Sequence, residues 1–204
     1  LDALTWGTSS GRLGEGAPIF FSSGNGFSST VSYPASRAAV TPGMMAIGSM
    51  NSAGVRSRYS NHGTALDFLT PSDNFSSSFL AIDTTDRVGE AGYNDGFTQN
   101  GDPDPNYTGI NATGFGGTSS ASPLAAGIGA LVLAQANELG VPMTAAQLNS
   151  YLHTTTDVIG NVPYDLTTGK HAEYGFGGQN AFTAVAGIGK TEISVLSPTQ
   201  ELVS

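Results

Sequence analysis

The chain has 204 residues, with 7 Lys and Arg against 16 Asp and Glu, and a formal net charge of −9. That balance excludes a polyanion-binding surface, and so nucleic acid as a main partner, because phosphates are held mostly by Lys and Arg. With no cysteine it has neither a disulfide framework nor a thiolate metal site, and with 11% charged residues but 10 Phe and 7 Tyr it is expected to fold rather than stay disordered.

The chain opens on Leu1-Asp2-Ala3, without Met or a signal-peptide pattern, as an excerpt or a processed chain would. The first sixteen residues end in the breaker-rich stretch Gly11-Arg12-Leu13-Gly14-Glu15-Gly16. Ile19-Phe20-Phe21 is a short apolar run that predicts a buried strand. It stops at Ser22-Ser23-Gly24-Asn25-Gly26, and a Ser/Thr-rich loop leads to Pro34. Met44-Met45-Ala46-Ile47-Gly48 and Leu66-Asp67-Phe68-Leu69 predict two further strands, and Leu80-Ala81-Ile82 a weaker one. Residues 89–117 read as loop.

From Ser119 to Ala136 no residue is charged. Such a run stands at the lower limit for a transmembrane helix. Its Ala, Gly and Ser content and the lack of a flanking basic anchor predict instead a helix buried in a globular domain, with no membrane span. Thr144-Ala145-Ala146-Gln147 is a capping box that opens a helix to about His153. Tyr174 to Ala186 carries another short helix behind a glycine turn. Strands alternating with helices predict an α/β domain with a mostly parallel sheet. It spans residues 1–188, and 189–204 read as a tail or linker.

The chemistry is concentrated in Gly116-Gly117-Thr118-Ser119-Ser120-Ala121-Ser122-Pro123. A Ser in a glycine-led turn that opens a long helix gains the positive end of the macrodipole. It also gains free first-turn N–H groups that can donate to an oxyanion. An ordinary Ser N-cap accounts for the same spacing.

The stretch Gly117 to Pro123, with Leu124-Ala125-Ala126-Gly127 behind it, resembles the nucleophile signature of subtilisin-like serine proteases, with some kexin-like character. The resemblance implies a three-layer subtilisin-like α/β fold with Ser119 as nucleophile. Ile19 to Gly26 resembles the family strand that ends in a small-small-Gly-Asn turn, which makes Asn25 the oxyanion donor. Val31-Ser32-Tyr33-Pro34-Ala35 resembles the segment lining the primary specificity pocket. Ser22, Ser23, Gly24, Val31, Ser32 and Tyr33 are therefore the expected substrate-binding residues. Met45 to Ser49 resembles the next core strand. Arg58 to Gly63 with Leu66 to Pro71 resembles the family's S-N-x-G and D-V-x-A-P stretch. Tyr174 to Gly177 with Asn180-Ala181 resembles its closing helix start.

The same resemblance implies a catalytic Asp and a His-Gly-Thr motif upstream of the oxyanion Asn, and neither stands among residues 1–24. His62-Gly63-Thr64 spells the second motif but falls after Asn25, inside the S-N-x-G stretch, and reads as a decoy. Gly7-Thr8-Ser9-Ser10-Gly11 matches a nucleophile elbow. It is discounted because glycine breakers follow it. His153 and His171 read as structural. Asp102 and Asp104 read as a solvated acidic loop, with calcium binding as the alternative. Asn74, Asn106 and Asn111 head glycosylation sequons of the kind that arise by chance in such a composition.

Two functions from different classes follow. One is a serine endopeptidase acting on a protein or peptide substrate, with the Asp and His on an upstream segment of the same protease. No cofactor is required for its chemistry; structural calcium, with unspecified ligands, is compatible with the family. The other is an inactive peptide-binding or scaffold module on the same fold. The absent pair would reflect an excerpt, a nicked protease or a pseudoenzyme. This chain alone is expected to be inactive. The acidic, Lys-poor composition points to a secreted, extracellular or periplasmic protein.

Overall fold

The computed structural model describes residues 2–72, 82, 84–85 and 115–189. The elements are α1 (Asp2–Ser10), β1 (Ile19–Ser22), a 3-10 turn at Ala35–Val40, β2 (Met44–Met50) and β3 (Phe68–Pro71). After them come α2 (Thr118–Glu138), α3 (Ala145–Thr154), β4 (Thr156–Asp157), β5 (Gly178–Gln179) and α4 (Ala181–Ala186). One sheet joins the strands in the order β1-β2-β3-β5-β4. Only the β4–β5 pair is antiparallel. This is an α/β fold with a mostly parallel sheet, as its strand–helix alternation predicts.

β2 runs through the middle, and Met44, Met45, Ala46 and Ile47 are fully buried. Period-2 alternation sends Met45 and Ile47 to one face, where Phe68 and the helices α2, α3 and α4 close a core. Ala46 and Leu69 face the other way and pack with Val31, Ala35, Leu66 and Tyr174. The second face is thus covered by the 3-10 turn and by loop residues. β1 is half-buried along its length, not fully buried as its apolar run predicts. It lies at the end of the sheet, and among the described residues only β2 pairs with it.

The charge-free run forms α2, whose Ala121, Ala125, Ile128, Val132 and Ala136 are buried. The helix is long and apolar enough to cross a membrane, yet this stripe lies against the sheet. Gly129 permits the close fit: a Cβ there would stand 2.7 Å from Cζ of Phe20 in β1. α3 begins where its capping box predicts. Thr144 Oγ1 accepts the Gln147 N–H, and Gln147 Oε1 accepts the Thr144 N–H. β3 starts at Phe68 and not at Leu66, whose N–H closes a turn onto the Gly63 carbonyl. α1 carries no sequence signal strong enough to announce it, and it absorbs Gly7 to Ser10 of the elbow-like match. Asn74, Leu80, Ala81, Asp102, Asp104, Asn106, Asn111 and the tail beyond Gly189 lie outside the described residues.

Candidate active site

β1, β2 and β3 run in one direction, so their carboxyl ends share one edge of the sheet, the usual place for a site in an open α/β fold. β1 ends at Ser22. The Ser23 N–H still donates to the Ile47 carbonyl. The chain then turns at Gly24, whose φ of +107° suits glycine and whose missing Cβ leaves room for Asn61 and Ser32. Asn25 follows and meets the first turn of α2.

That meeting depends on Gly117, the N-cap of α2, with φ of +81°. A Cβ at Gly117 would lie 3.1 Å from Nδ2 of Asn25. Ser119 is therefore the second residue of the helix, and the N-cap role falls to Gly117. Ser119 is exposed, and among the described residues its hydroxyl and N–H have no hydrogen-bond partner.

The Asn25 amide is held in one orientation. Its Oδ1 accepts the Thr118 N–H at 2.9 Å and the Thr118 hydroxyl at 2.7 Å. Two donors on one atom identify it as oxygen and leave the NH₂ turned away. The Thr118 hydroxyl in turn accepts the Gly24 N–H at 3.2 Å, and Thr118 is fully buried. The Asn25 NH₂ and the Ser119 N–H thus stand as donors at the positive end of a 21-residue helix. Such a pair can stabilise negative charge that develops on a bound carbonyl oxygen.

The expected substrate-binding residues divide. The Ser32 N–H donates to the Ser23 carbonyl at 2.9 Å, which draws residues 22–24 and Ser32 together. Val31 turns into the core, and Tyr33 is 70% exposed. Asn61 is the residue that sequence reasoning did not single out here. It is 4% exposed. Its Oδ1 accepts the N–H groups of Gly26 and Ser28, each at 2.9 Å, and its Nδ2 donates to Ser32 Oγ at 3.0 Å. One side chain thereby ties the oxyanion turn to the predicted specificity segment. Thr118, Tyr59 and Ser72 received no role from the sequence, because their partners lie far away along the chain.

The histidines are engaged elsewhere. Nε2 of His153 lies 2.8 Å from Asp67 Oδ1, and its ring stacks on Phe176 with centroids 3.9 Å apart. The other Asp67 oxygen accepts the Ala46 N–H at 2.7 Å. Nδ1 of His171 accepts the Glu173 N–H. His62 sits near Arg56, Glu173 and His171; burial first, and then the Arg56 charge, hold its pKa below the usual value. Its Nδ1 is buried and has no partner among the described residues. Arg56 pairs with Glu173 at 2.8 Å, and that hydrogen bond lowers the Glu173 pKa. None of the three imidazoles hydrogen-bonds to Ser119. Among the described residues no group of three or more His, Asp or Glu is placed to hold a metal ion.

Residues 2–177 match the profile of the Subtilase family. The chain is 36% identical over 189 residues to a "Calcium-dependent protease" of Trichormus variabilis and equally to one of Nostoc sp.. Each match covers 90% of this chain and 26% of the relative, so the chain spans about a quarter of those proteins. Among solved structures, a lanthipeptide protease aligns with a TM-score of 0.60 at 22% identity, over 83% of this chain and 50% of that one. The self-cleaved protease domain of PatA aligns with a TM-score of 0.54 at 18% identity, over 82% and 48%. These two likenesses establish the fold. Together with the profile match over most of its length, they follow from one fact: the chain belongs to the subtilase family.

Proposed function

We propose that residues 1–188 are the C-terminal portion of the catalytic domain of a serine endopeptidase. Ser119 Oγ attacks the scissile carbonyl and forms an acyl-enzyme. A His carried by an upstream segment takes the Ser proton, oriented by an Asp on the same segment. The Asn25 NH₂ and the Ser119 N–H hold the oxyanion. The Ser proton then passes to the leaving amine, and water hydrolyses the acyl group. The observation that carries this reading is the Asn25 amide, locked by Thr118 with its NH₂ turned out beside an exposed, unpartnered Ser119. The protease names of the curated relatives support it.

Among the described residues the outer edge of β1 is unpaired, which supports an upstream segment that docks there as a further strand. Among the described residues no base lies beside Ser119, and on this reading the chain without that segment is inactive. Calcium, which the relatives' names invoke, finds no suitable cluster among the described residues and enters no step above. The acidic, Lys-poor composition supports secretion. One observation favours the alternative, a peptide-binding scaffold without turnover: no base lies beside Ser119 among the described residues.

The test is Ser119→Ala in the full-length protein, with peptide hydrolysis as the readout. The endopeptidase reading expects a loss on the order of 10⁶-fold in kcat. Full activity in the variant would refute it, and absence of turnover in the unmutated protein would favour the scaffold.

A further inference from the structure

Behind the nucleophile turn lies a cluster of buried hydroxyl groups that the mechanism above does not use. Ser72 Oγ stands 2.9 Å, and Ser120 Oγ 3.1 Å, from the Gly117 carbonyl oxygen, and the two hydroxyls lie within hydrogen-bond distance of each other, so their two protons are shared among these three contacts. On the other side of the same residue the Tyr59 hydroxyl accepts the Gly117 N–H at 3.1 Å. Tyr59 OH also lies 3.4 Å from Ser72 Oγ and 2.9 Å from Ser49 Oγ, which bonds Ser57 at 2.7 Å. Tyr59 is 1% exposed and Ser72 2%. Hydroxyls this deeply buried are costly unless each finds a partner, and here they converge on one residue.

We propose that Ser72 and Tyr59 are positioning residues for the oxyanion donor, acting through the Gly117–Thr118 peptide. Glycine at 117 permits the positive φ of this turn, and its carbonyl, which accepts the Ser120 and Ala121 N–H groups of the helix itself at 3.1 and 3.4 Å, is held further by the two hydroxyls. A peptide unit is planar, so the Gly117 carbonyl and the Thr118 N–H move as one body and point to opposite sides. Ser72 and Ser120 hold the carbonyl inward. The Thr118 N–H is thereby aimed at Asn25 Oδ1, and its bond there decides which way the Asn25 NH₂ faces. Tyr59 fixes the preceding N–H and so stops the residue from swivelling about the carbonyl contact. The chain of command runs from the loop before β3 and the residue just after it, through one peptide plane, to a side chain 93 residues from Thr118. The inference rests on the protease reading, since its effect is on turnover.

The test uses the full-length protein and a chromogenic peptide, with active sites counted by a serine-directed fluorophosphonate. Ser72→Ala and Tyr59→Phe each remove one hydroxyl and keep the shape of the site. Each is expected to lower kcat per titrated site about 10-fold, the scale of one misdirected hydrogen bond, with KM within about 2-fold. In an Asn25→Ala background, Ser72→Ala is expected to cost nothing further, because the group it positions is gone. A fall in Tm with kcat per site unchanged in both variants would overturn the proposal and leave the protease reading standing. Losses that multiply in the Asn25→Ala background would also overturn it, because Ser72 would then act on something other than Asn25. A wild-type protein without Ser119-dependent turnover would overturn the protease reading, and this proposal with it, a result distinct from the other two.

Discussion

Two helices of this molecule begin in opposite ways. α3 caps itself: Thr144 and Gln147, three residues apart, satisfy each other's backbone and side chain. α2 has no side-chain cap of its own. Its first N–H is taken by Asn25, from 93 residues away, and the next one, that of the exposed Ser119, has no partner among the described residues. A helix start that serves stability spends its donors locally. The proposed function gives the α2 start a chemical role, in which donors stay available and distant groups hold the turn instead. At α2 those groups are Asn25, Tyr59 and Ser72.

The contrast can be sharpened by substitution. Asn25→Ala should lower kcat by roughly 10²–10³, the range for losing one oxyanion donor, with a small change in KM; steady-state kinetics of the full-length protein would check this. Gly129→Val should cost about 1–3 kcal/mol by overpacking against Phe20. Because it pushes α2 off β1, it should also reduce kcat, and denaturant unfolding beside a peptidase assay would show both. Thr144→Ala should cost about 1 kcal/mol through the lost cap. It should leave kcat unaltered, since nothing of the α2 start depends on it. A kcat loss from Thr144→Ala comparable to that of Asn25→Ala would break the comparison.

The smallest effect is one of pH. His62 has its folded pKa held below the usual 6.5, so the unfolded chain binds more protons between those two values. Stability therefore falls as pH drops below about 6.5. His62→Gln should make the decline in Tm between about pH 7 and 5.5 shallower, as thermal melts in that window would record. kcat should not follow it, because His62 does not contact Ser119.

Much of this arrangement is legible in the residues. The charge-free run and the capping box mark α2 and α3, and the short apolar runs mark β1 and β2, because periodicity and caps are local signals. Ser119 and Asn25, the residues of the proposed site, each stand in a stretch with a family likeness. The remainder depends on contacts that no local pattern carries. α1 lacks a strong apolar period and β4 and β5 are two residues each, so all three are defined by their neighbours. Asn61, Tyr59 and Ser72 look like ordinary loop and strand-end residues until the fold brings them to Gly26, Ser32 and Gly117. The Asp67–His153 pair is the instructive opposite: two residues of catalytic type, joined at 2.8 Å and stacked on Phe176, that do not hydrogen-bond to Ser119.

The most direct measurement is to treat the full-length protein with a serine-directed fluorophosphonate and map the adduct by peptide mass spectrometry. The account predicts a single adduct on Ser119 that is lost on unfolding and much slowed by Asn25→Ala. No adduct on Ser119, or equal labelling of the unfolded protein, would contradict the claim that this helix start is built for catalysis.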